Sequence, residues 1–325
     1  MAAFHFKFRR LVIIESKEID EPSNGISIEQ RLRLPWAAKG LSIKRTEVSS
    51  VSALLASIEQ LTLAVPEEGV PLLHIEAHGD AVGVVTADGG TATWRSLREP
   101  LQQLNMACRG QLIVILGVCD GIQLWRSMMD DGVDPTTNAF VPWAIYVGLP
   151  GTVRALSMED AWQEFYSRIL ETRSIDRATA AANKILQHDG QPELDVATAF
   201  DYLTGTAEHY MRLYNHRVAF RMRAERFHRQ LKNDALRAGR TPPTPFFTRQ
   251  IGRDVLATDT KDIFRSIAGI DRFPDSPLAE AFDDFFESLN WRMVRRPCGK
   301  AERRAIRRQM RRGIIPTHRN LGVFS

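Results

Sequence analysis

Cysteine is scarce in this chain: Cys108, Cys119 and Cys298 are the whole complement among 325 residues. Three thiols cannot all pair with one another, and so few exclude a small disulfide-stapled scaffold. Long apolar runs are missing too. Residues 1–10 are mixed in character, and the apolar run 11–14 is too short for the core of a secretory leader. The longest uncharged stretch, residues 135–153, contains Pro142 and Pro150 and carries Thr136, Thr137 and Asn138, which makes it a poor membrane span. These absences point to free thiols in a reducing cytoplasm and to no membrane partner. No repeat of fixed period is found.

What is present is an ordinary globular mixture, 44% apolar and 25% charged, which excludes wholesale disorder and a collagen-like fibre. The length suits one large domain or two ordinary ones, enough to bury a sizeable core. The net charge of +4 conceals a division. Residues 206–325 hold 25 Lys and Arg against 13 Asp and Glu, a net +12, whereas residues 1–205 hold 18 against 26, a net −8. Such asymmetry marks two units with different partners, or units that are each other's partner.

The first two hundred residues alternate between two periodicities. Residues 11–14 and 41–46 read as strands, with a loop over 21–25 signalled by Pro22, Ser23, Asn24 and Gly25. Leu54, Leu55, Ile58 and Leu61 fall at helical spacing within 51–63. Residues 70–75 are strand-like, and the segment ends at the turn-forming Gly79 and Asp80. Segments 82–86 and 91–94 flank Ala87, Asp88, Gly89 and Gly90, a hairpin signal. A helix is predicted over 96–106. Residues 112–116 form an unbroken apolar run suited to a central strand covered on both faces, and 144–147 form another candidate strand. Ser157 with Asp160 resembles a capping box ahead of the apolar face Trp162, Phe165, Tyr166, Ile169 and Leu170. Ser174 is placed to cap a further helix through 178–186. Strands alternating with helices predict an α/β sandwich with a mostly parallel sheet.

Beyond about residue 205 the strand signal ends. An Arg-rich helical pattern over 209–236, the breaker Thr241, Pro242, Pro243, Thr244 and Pro245, helices at 261–268 and 277–289, and a dense basic run at 292–312 describe an all-α basic region. The implied division is a unit of residues 1–205 followed by one of 206–325.

Reactive side chains concentrate where two of these strands run out, the place where open parallel sheets gather functional residues. One strand runs through His74 and Glu76 to His78 and Gly79; the other runs through Gly117 to Cys119 and Asp120. A thiol and an imidazole are sufficient for acyl transfer: the thiolate attacks a carbonyl and the imidazole manages the proton. A helix starting near Asp120 would favour the Cys119 thiolate through its dipole, with Asp120 opposing as a charge or capping that helix. Gly79 lets backbone approach a substrate closely, so that its N–H can serve an oxyanion.

The succession of an apolar strand ending in His78 and Gly79, a hairpin, a helix, and an apolar strand ending at Cys119 resembles the caspase-like cysteine peptidases, especially their CHAT branch. The strand at 144–149, the helix carrying Phe165 and Tyr166, and the Ala-rich segment 178–182 resemble that branch as well, so that the likeness spans roughly residues 8–205. It implies a caspase-like three-layer α/β sandwich in which Cys119 is the nucleophile, His78 the general acid and base, and the amides of Gly79 and Cys119 the oxyanion hole. Hydrolysis of this kind requires no metal or organic cofactor. The resemblance further implies a protein substrate, an activating protein partner or a processing event, and roles in signalling, programmed death or prokaryotic defence. Several basic-specific relatives place an acidic residue two before the nucleophile; Gly117 stands there, and selectivity for Lys or Arg does not follow by that route.

Competing readings attach to the same residues. Met106, Ala107, Cys108, Arg109 and Gly110 resemble the pentapeptide around the caspase nucleophile, yet Cys108 follows a predicted helix and precedes the strand, at the opposite end of the sheet from His78. His74, Glu76 and His78 share one strand face and could ligate zinc or iron, or His74 and Glu76 could be partners within the sheet. The basic region reads first as a solvated or structural surface, then as an autoinhibitory or partner-binding element, and last as a nucleic-acid contact. Phe282, Phe285, Phe286 and Trp291 read as core of the helical unit. A catalytically silent interaction module that keeps the fold is the alternative to a peptidase.

Overall fold

A computed structural model describes residues 8–130 except 19, 20 and 22, residues 141–204, residues 264–288, and single positions between 229 and 261. The basic run at 292–312, Cys298, Trp291, most of the 209–236 pattern and residues 242–245 lie outside the described residues. By internal contacts the chain divides into two units. One comprises Met1–Asp131, Phe140–Tyr202 and Ala268–Ala281; the other comprises Gly132–Ala139, Leu203–Ile267 and Phe282–Ser325.

The first unit is built on strands β1 (Arg10–Ser16), β2 (Ser42–Glu47), β3 (Pro71–Gly79), β4 (Gly83–Val85), β5 (Thr91–Thr93), β6 (Ile113–Gly117), β7 (Ile145–Gly148) and β8 (Asp195–Thr198). Its helices are α1 (Asn24–Ala37), α2 (Val51–Glu68), α3 (Arg98–Ala107), α4 (Ile122–Asp130), α5 (Ala155–Thr172) and α6 (Ile175–His188). The main sheet runs in the order β2-β1-β3-β6-β7-β8, with β4 and β5 forming a hairpin on the end of β3. All pairings along the main sheet are parallel except β7 with β8. This is the mixed α/β sandwich with a mostly parallel sheet that the alternating periodicities predict.

Connection handedness sets the layers. The chain steps from β1 to β2 in one direction and from β2 across to β3 in the other, so right-handed crossovers put α1 and α2 on opposite faces. On the α1 face, Leu11, Ile13, Leu72, Ile113, Ile115, Ile145 and Val147 pack with Ile28, Leu32 and Trp36 of α1 and with Trp162, Phe165, Tyr166, Ala178 and Ala182 of α5 and α6. The alternate residues Val12, Ile14, Leu73, Ile75, Val114 and Leu116 are buried as well, as a sheet covered on both faces requires. The buried stripe Leu54, Ile58, Leu61 and Val65 of α2 supplies that second cover.

Local signals account for most boundaries. Ser23, Ser50 and Ser174 each cap the helix that follows, accepting from the amides of Ile26, Ala53 and Arg177. Two expectations need correction. Ser157 lies inside α5, on its buried face, while Arg154 occupies the cap position without a side-chain bond, so the helix starts about a turn before the expected capping box. The loop expected over 21–25 gives way to α1 at Asn24, because Gly25 and Asn24 hydrogen-bond buried carboxylates from the sheet.

Past residue 204, α7 (Pro277–Ser288) is described, where a helix over 277–289 is predicted. Phe282 is stacked on Phe286, and Phe286 lies beside Phe264. Phe264, Phe282 and Phe286 are buried, so Phe282 and Phe286 are core residues rather than an exposed stacking platform. No helix among the described residues is long and apolar enough to cross a membrane.

Candidate functional site

The strand order reverses between β1 and β3, and in parallel sheets the crevice beyond the carboxyl ends of strands at such a reversal is the usual ligand site. Three segments reach it: the β1–α1 loop, the end of β3 with its hairpin, and the turn after β6. Their strand ends are level, since the sheet register aligns Glu15 with Glu76 and Glu76 with Gly117. Two residues further on, β3 carries His78 and the turn after β6 carries Cys119.

The two backbones touch. A Cβ added to Gly79 would overlap Val118 Cγ1 and lie 2.6 Å from the Cys119 carbonyl oxygen. Gly79 is therefore required by close approach to the segment that carries the thiol. Its N–H is not used by the hairpin. The amide of Asp80 donates to the Gly83 carbonyl at 3.1 Å, which makes Gly79 and Val84 the non-hydrogen-bonded pair of the hairpin ladder and turns the Gly79 amide away from β4. Asp80 Oδ1 accepts from the amides of Val82 and Gly83, at 2.7 and 3.0 Å, fixing the turn.

Cys119 is half-buried at a sharp strand-to-helix turn. Asp120 beside it has φ of 56°, a left-handed conformation that Asp tolerates better than most residues. The amide of Gly121 returns to the Val118 carbonyl at 3.0 Å, and that of Gln123 to Asp120 at 2.8 Å, leading into α4. The Asp120 carboxylate makes no hydrogen bond among the described residues, so it does not cap α4. The hydroxyl of buried Tyr146, from β7, donates to the Gly121 carbonyl and pins the turn from beneath. Burial raises the Tyr146 hydroxyl far above its ordinary range, with the Asp195 charge adding to the rise, so it stays a donor.

His78 is the most open member, its side chain 57% exposed. Its Nε2 lies 2.6 Å from Glu21 Oε1, and the second oxygen of Glu21 accepts the Glu18 amide at 3.3 Å. Burial alone would raise the Glu21 carboxyl. The His78 and Glu18 hydrogen bonds, with the charges of His78 and Lys17, outweigh it and hold the group below the usual carboxylate range. No hydrogen bond joins His78 and the Cys119 thiol, and Nδ1 of the ring has no hydrogen-bond partner among the described residues. Catalytic hydrogen bonds are commonly long without substrate.

His74 and Glu76 belong to a different system beneath the site. His74, fully buried, has Nδ1 2.6 Å from the Tyr166 hydroxyl and Nε2 2.8 Å from Glu76 Oε2. One tautomer satisfies both: Nδ1 accepts from Tyr166 and Nε2–H donates to Glu76. Glu76 Oε1 accepts from Asn24 at 2.7 Å and faces Lys17 at 3.5 Å. These two residues are partners within the core, while His78 is bonded to Glu21. Among the described residues no group of three or more His, Cys, Asp or Glu side chains could hold a metal ion.

The Glu76 carboxylate also explains Gly117. A Cβ there would overlap Glu76 Oε2 and lie 3.0 Å from His74 Nε2. An acidic side chain two before Cys119 has no room, because a carboxylate from the adjacent strand already fills the space.

Cys108 is fully buried at the C-cap of α3, before β6 begins and so at the far edge of the sheet. Burial pushes its thiol up to about 12, only partly offset by the Arg10 charge. A thiol this inaccessible and this weakly acidic is unsuited to be a nucleophile.

Sequence reasoning missed Glu21, Tyr146 and the Glu76–Gly117 contact. Glu21 stands in a loop with no motif, and only the reversal of strand order beside it could have singled it out. No family model matches this chain, and no curated protein matches it. Among solved structures it is similar to the crystal structure of caspase-1 from Spodoptera frugiperda, with a TM-score of 0.41 and 14% identity over 60% of this chain and 90% of that one. At that distance the likeness assigns no residue and no activity.

Proposed function

We propose that this protein is a caspase-like cysteine endopeptidase of the CHAT type. In this reading Cys119 is the nucleophile, His78 is the general acid and base, and the Gly79 and Cys119 amides bind the oxyanion. One observation carries it: Gly79 lies against the Val118–Cys119 backbone so closely that no side chain fits, bringing an open imidazole and a half-buried thiol to the same edge of the sheet. The inert surroundings of Cys108 support the choice of thiol. The substrate is a protein, and no metal or organic cofactor enters the reaction. From its charge alone, the basic region 206–325 is assigned to regulation or to an activating partner rather than to nucleic acid.

The test is labelling by an electrophilic peptide probe, read by mass spectrometry on wild type, Cys119→Ala and His78→Ala, with peptide cleavage measured alongside. Rapid modification of Cys119 that spares Cys108 and slows in His78→Ala is the expected result. The alternative is a silent interaction module, consistent with the missing thiol–imidazole bond. It predicts slow labelling of Cys119 that is unchanged in His78→Ala.

A further inference from the structure

Glu21 is unused by a two-residue site, yet among the described residues it makes the one hydrogen bond to the His78 ring. We propose that Glu21 is a positioning residue, a carboxylate third member that orients His78 toward Cys119. This rests on the peptidase reading above and extends it.

The geometry supplies each part. Glu21 Oε1 sits 2.6 Å from His78 Nε2, a short contact between an imidazole nitrogen and a carboxylate oxygen. The other oxygen is held by the Glu18 amide, so the carboxylate is itself oriented. The loop is tied to the sheet immediately downstream: the Ser23 hydroxyl donates to Glu15, the Gly25 amide to Glu15 Oε1 at 3.0 Å, and Asn24 to Glu76 at 2.7 Å. Glu21 and His78 also come from segments on either side of the strand-order reversal. Burial disfavours the charged carboxyl, but the hydrogen bonds to it from His78 and Glu18, with the charges nearby, hold it below the usual carboxylate range.

The chemistry follows from which nitrogen carries the proton. With Nε2–H committed to Glu21, Nδ1 is left as the base. The Cys119 S–H proton moves to Nδ1, giving thiolate and imidazolium, and Glu21 stabilises the imidazolium without taking its proton. Sulfur then attacks the substrate carbonyl. As the C–N bond breaks, the Nδ1 proton passes to the leaving amine and an acyl-thioester remains. Water attacks the thioester, losing its proton to Nδ1; the C–S bond breaks, the carboxylic acid leaves, and the Nδ1 proton returns to sulfur.

The charged groups around the pair are Lys17, which acts on Glu21, with Asp80 next along the chain after Gly79 and Asp120 beside Cys119. The experiment is the pH dependence of Cys119 alkylation by iodoacetamide in the full chain, read by mass spectrometry. Wild type, Glu21→Gln, Glu21→Asp and His78→Ala are compared, with melting temperature recorded for each. Wild type is expected to show a reactive plateau extending well below the pH at which ordinary thiols ionise. Glu21→Gln narrows that plateau by about one pH unit, Glu21→Asp restores part of it, and His78→Ala removes it, while the melting temperature of Glu21→Gln stays at that of wild type. A plateau that depends on His78 but is superimposable in Glu21→Gln overturns the role of Glu21 and leaves the peptidase reading standing. Alkylation of Cys119 as an ordinary thiol, indifferent to His78→Ala, overturns the peptidase reading itself.

Discussion

Gly79→Ala tests the contact on which the site depends. The added methyl would land on Val118 Cγ1 and 2.6 Å from the Cys119 carbonyl oxygen, where carbon atoms need about 3.5 Å from one another to sit comfortably. Val118 is fully buried, so its side chain has little space to retreat into. The carbonyl belongs to the turn that Gly121 and Tyr146 hold in place. The strain is therefore relieved mainly by parting the end of β3 from the turn after β6. Gly79 has no left-handed backbone angle, so the effect is steric and not conformational. Overpacking of this kind costs about 1–3 kcal/mol, which lowers the melting temperature by about 2–4 °C per kcal/mol in a body of this size. A misplacement near 1 Å at reacting groups costs roughly a hundredfold in rate. The expected result is a modest fall in melting temperature with an approximately hundredfold slower labelling of Cys119 by a peptide electrophile. Labelling at the wild-type rate with an unchanged melting temperature would show that the two strand ends are not in contact, and the oxyanion assignment would fall with them.

Gly117→Ala places a methyl against the fixed Glu76 carboxylate and is expected to destabilise by about 1–3 kcal/mol; a denaturant midpoint equal to wild type refutes the tight packing of Gly117 on Glu76. Tyr146→Phe removes the hydroxyl donor to the Gly121 carbonyl, and should cost about 1–2 kcal/mol and slow Cys119 labelling together. A variant that melts and labels like wild type excludes a bracing role. Asn24→Ala leaves the buried Glu76 one donor short, with about 1–3 kcal/mol lost and the alkylation plateau narrowed as in Glu21→Gln. If stability falls and the plateau does not move, the loop is not what holds Glu21. The buried Cys108 thiol, raised from an ordinary 9 to about 12, binds its proton more tightly folded than unfolded. Its contribution is whole below about pH 9 and is lost as pH rises toward 12, about 1.4 kcal/mol per unit. Guanidinium midpoints at pH 8.5 and 10.5 should therefore converge in Cys108→Ala relative to wild type, and an equal fall in both proteins contradicts the assignment.

Much of the scaffold was legible because burial on both faces leaves an unmistakable trace. Residues 112–116 could be read as the central strand since every position is apolar, and Leu54, Ile58 and Leu61 since only a helix puts them on one stripe. β8 and α1 were not. Asp195–Thr198 is a four-residue antiparallel edge strand, partly exposed, with too few apolar positions to stand out. The start of α1 is specified by bonds to Glu15 and Glu76, partners distant in the chain, which outweigh the local turn chemistry of Ser23 to Gly25. His78, Gly79 and Cys119 could be singled out because each ends a run of periodic residues. Glu21 could not, since a loop carboxylate has no period, and its meaning comes from what β3 places opposite it.

The buried carboxylates beneath the candidate site bear on how the loop beside it is placed. Glu15 and Glu76 lie side by side in register, both nearly inaccessible, where unpaired charges would be prohibitively costly. Each is saturated instead. Glu15 accepts from Ser23, Gly25 and Arg45, and Glu76 from His74 and Asn24 with Lys17 beyond. Apolar side chains could fill the same volume with equal or better stability, but they would leave the start of α1 free to slide over the sheet. Directional bonds from two adjacent strands to three consecutive residues, Ser23, Asn24 and Gly25, remove that freedom. The chain that enters α1 is the chain that carries Glu21, so these bonds anchor residues that begin two positions after it. The requirement for Gly117 follows from the same packing, because the Glu76 carboxylate that anchors Asn24 occupies the space its side chain would need. A polar core at this point thus trades stability for position: it holds the start of α1 on the sheet.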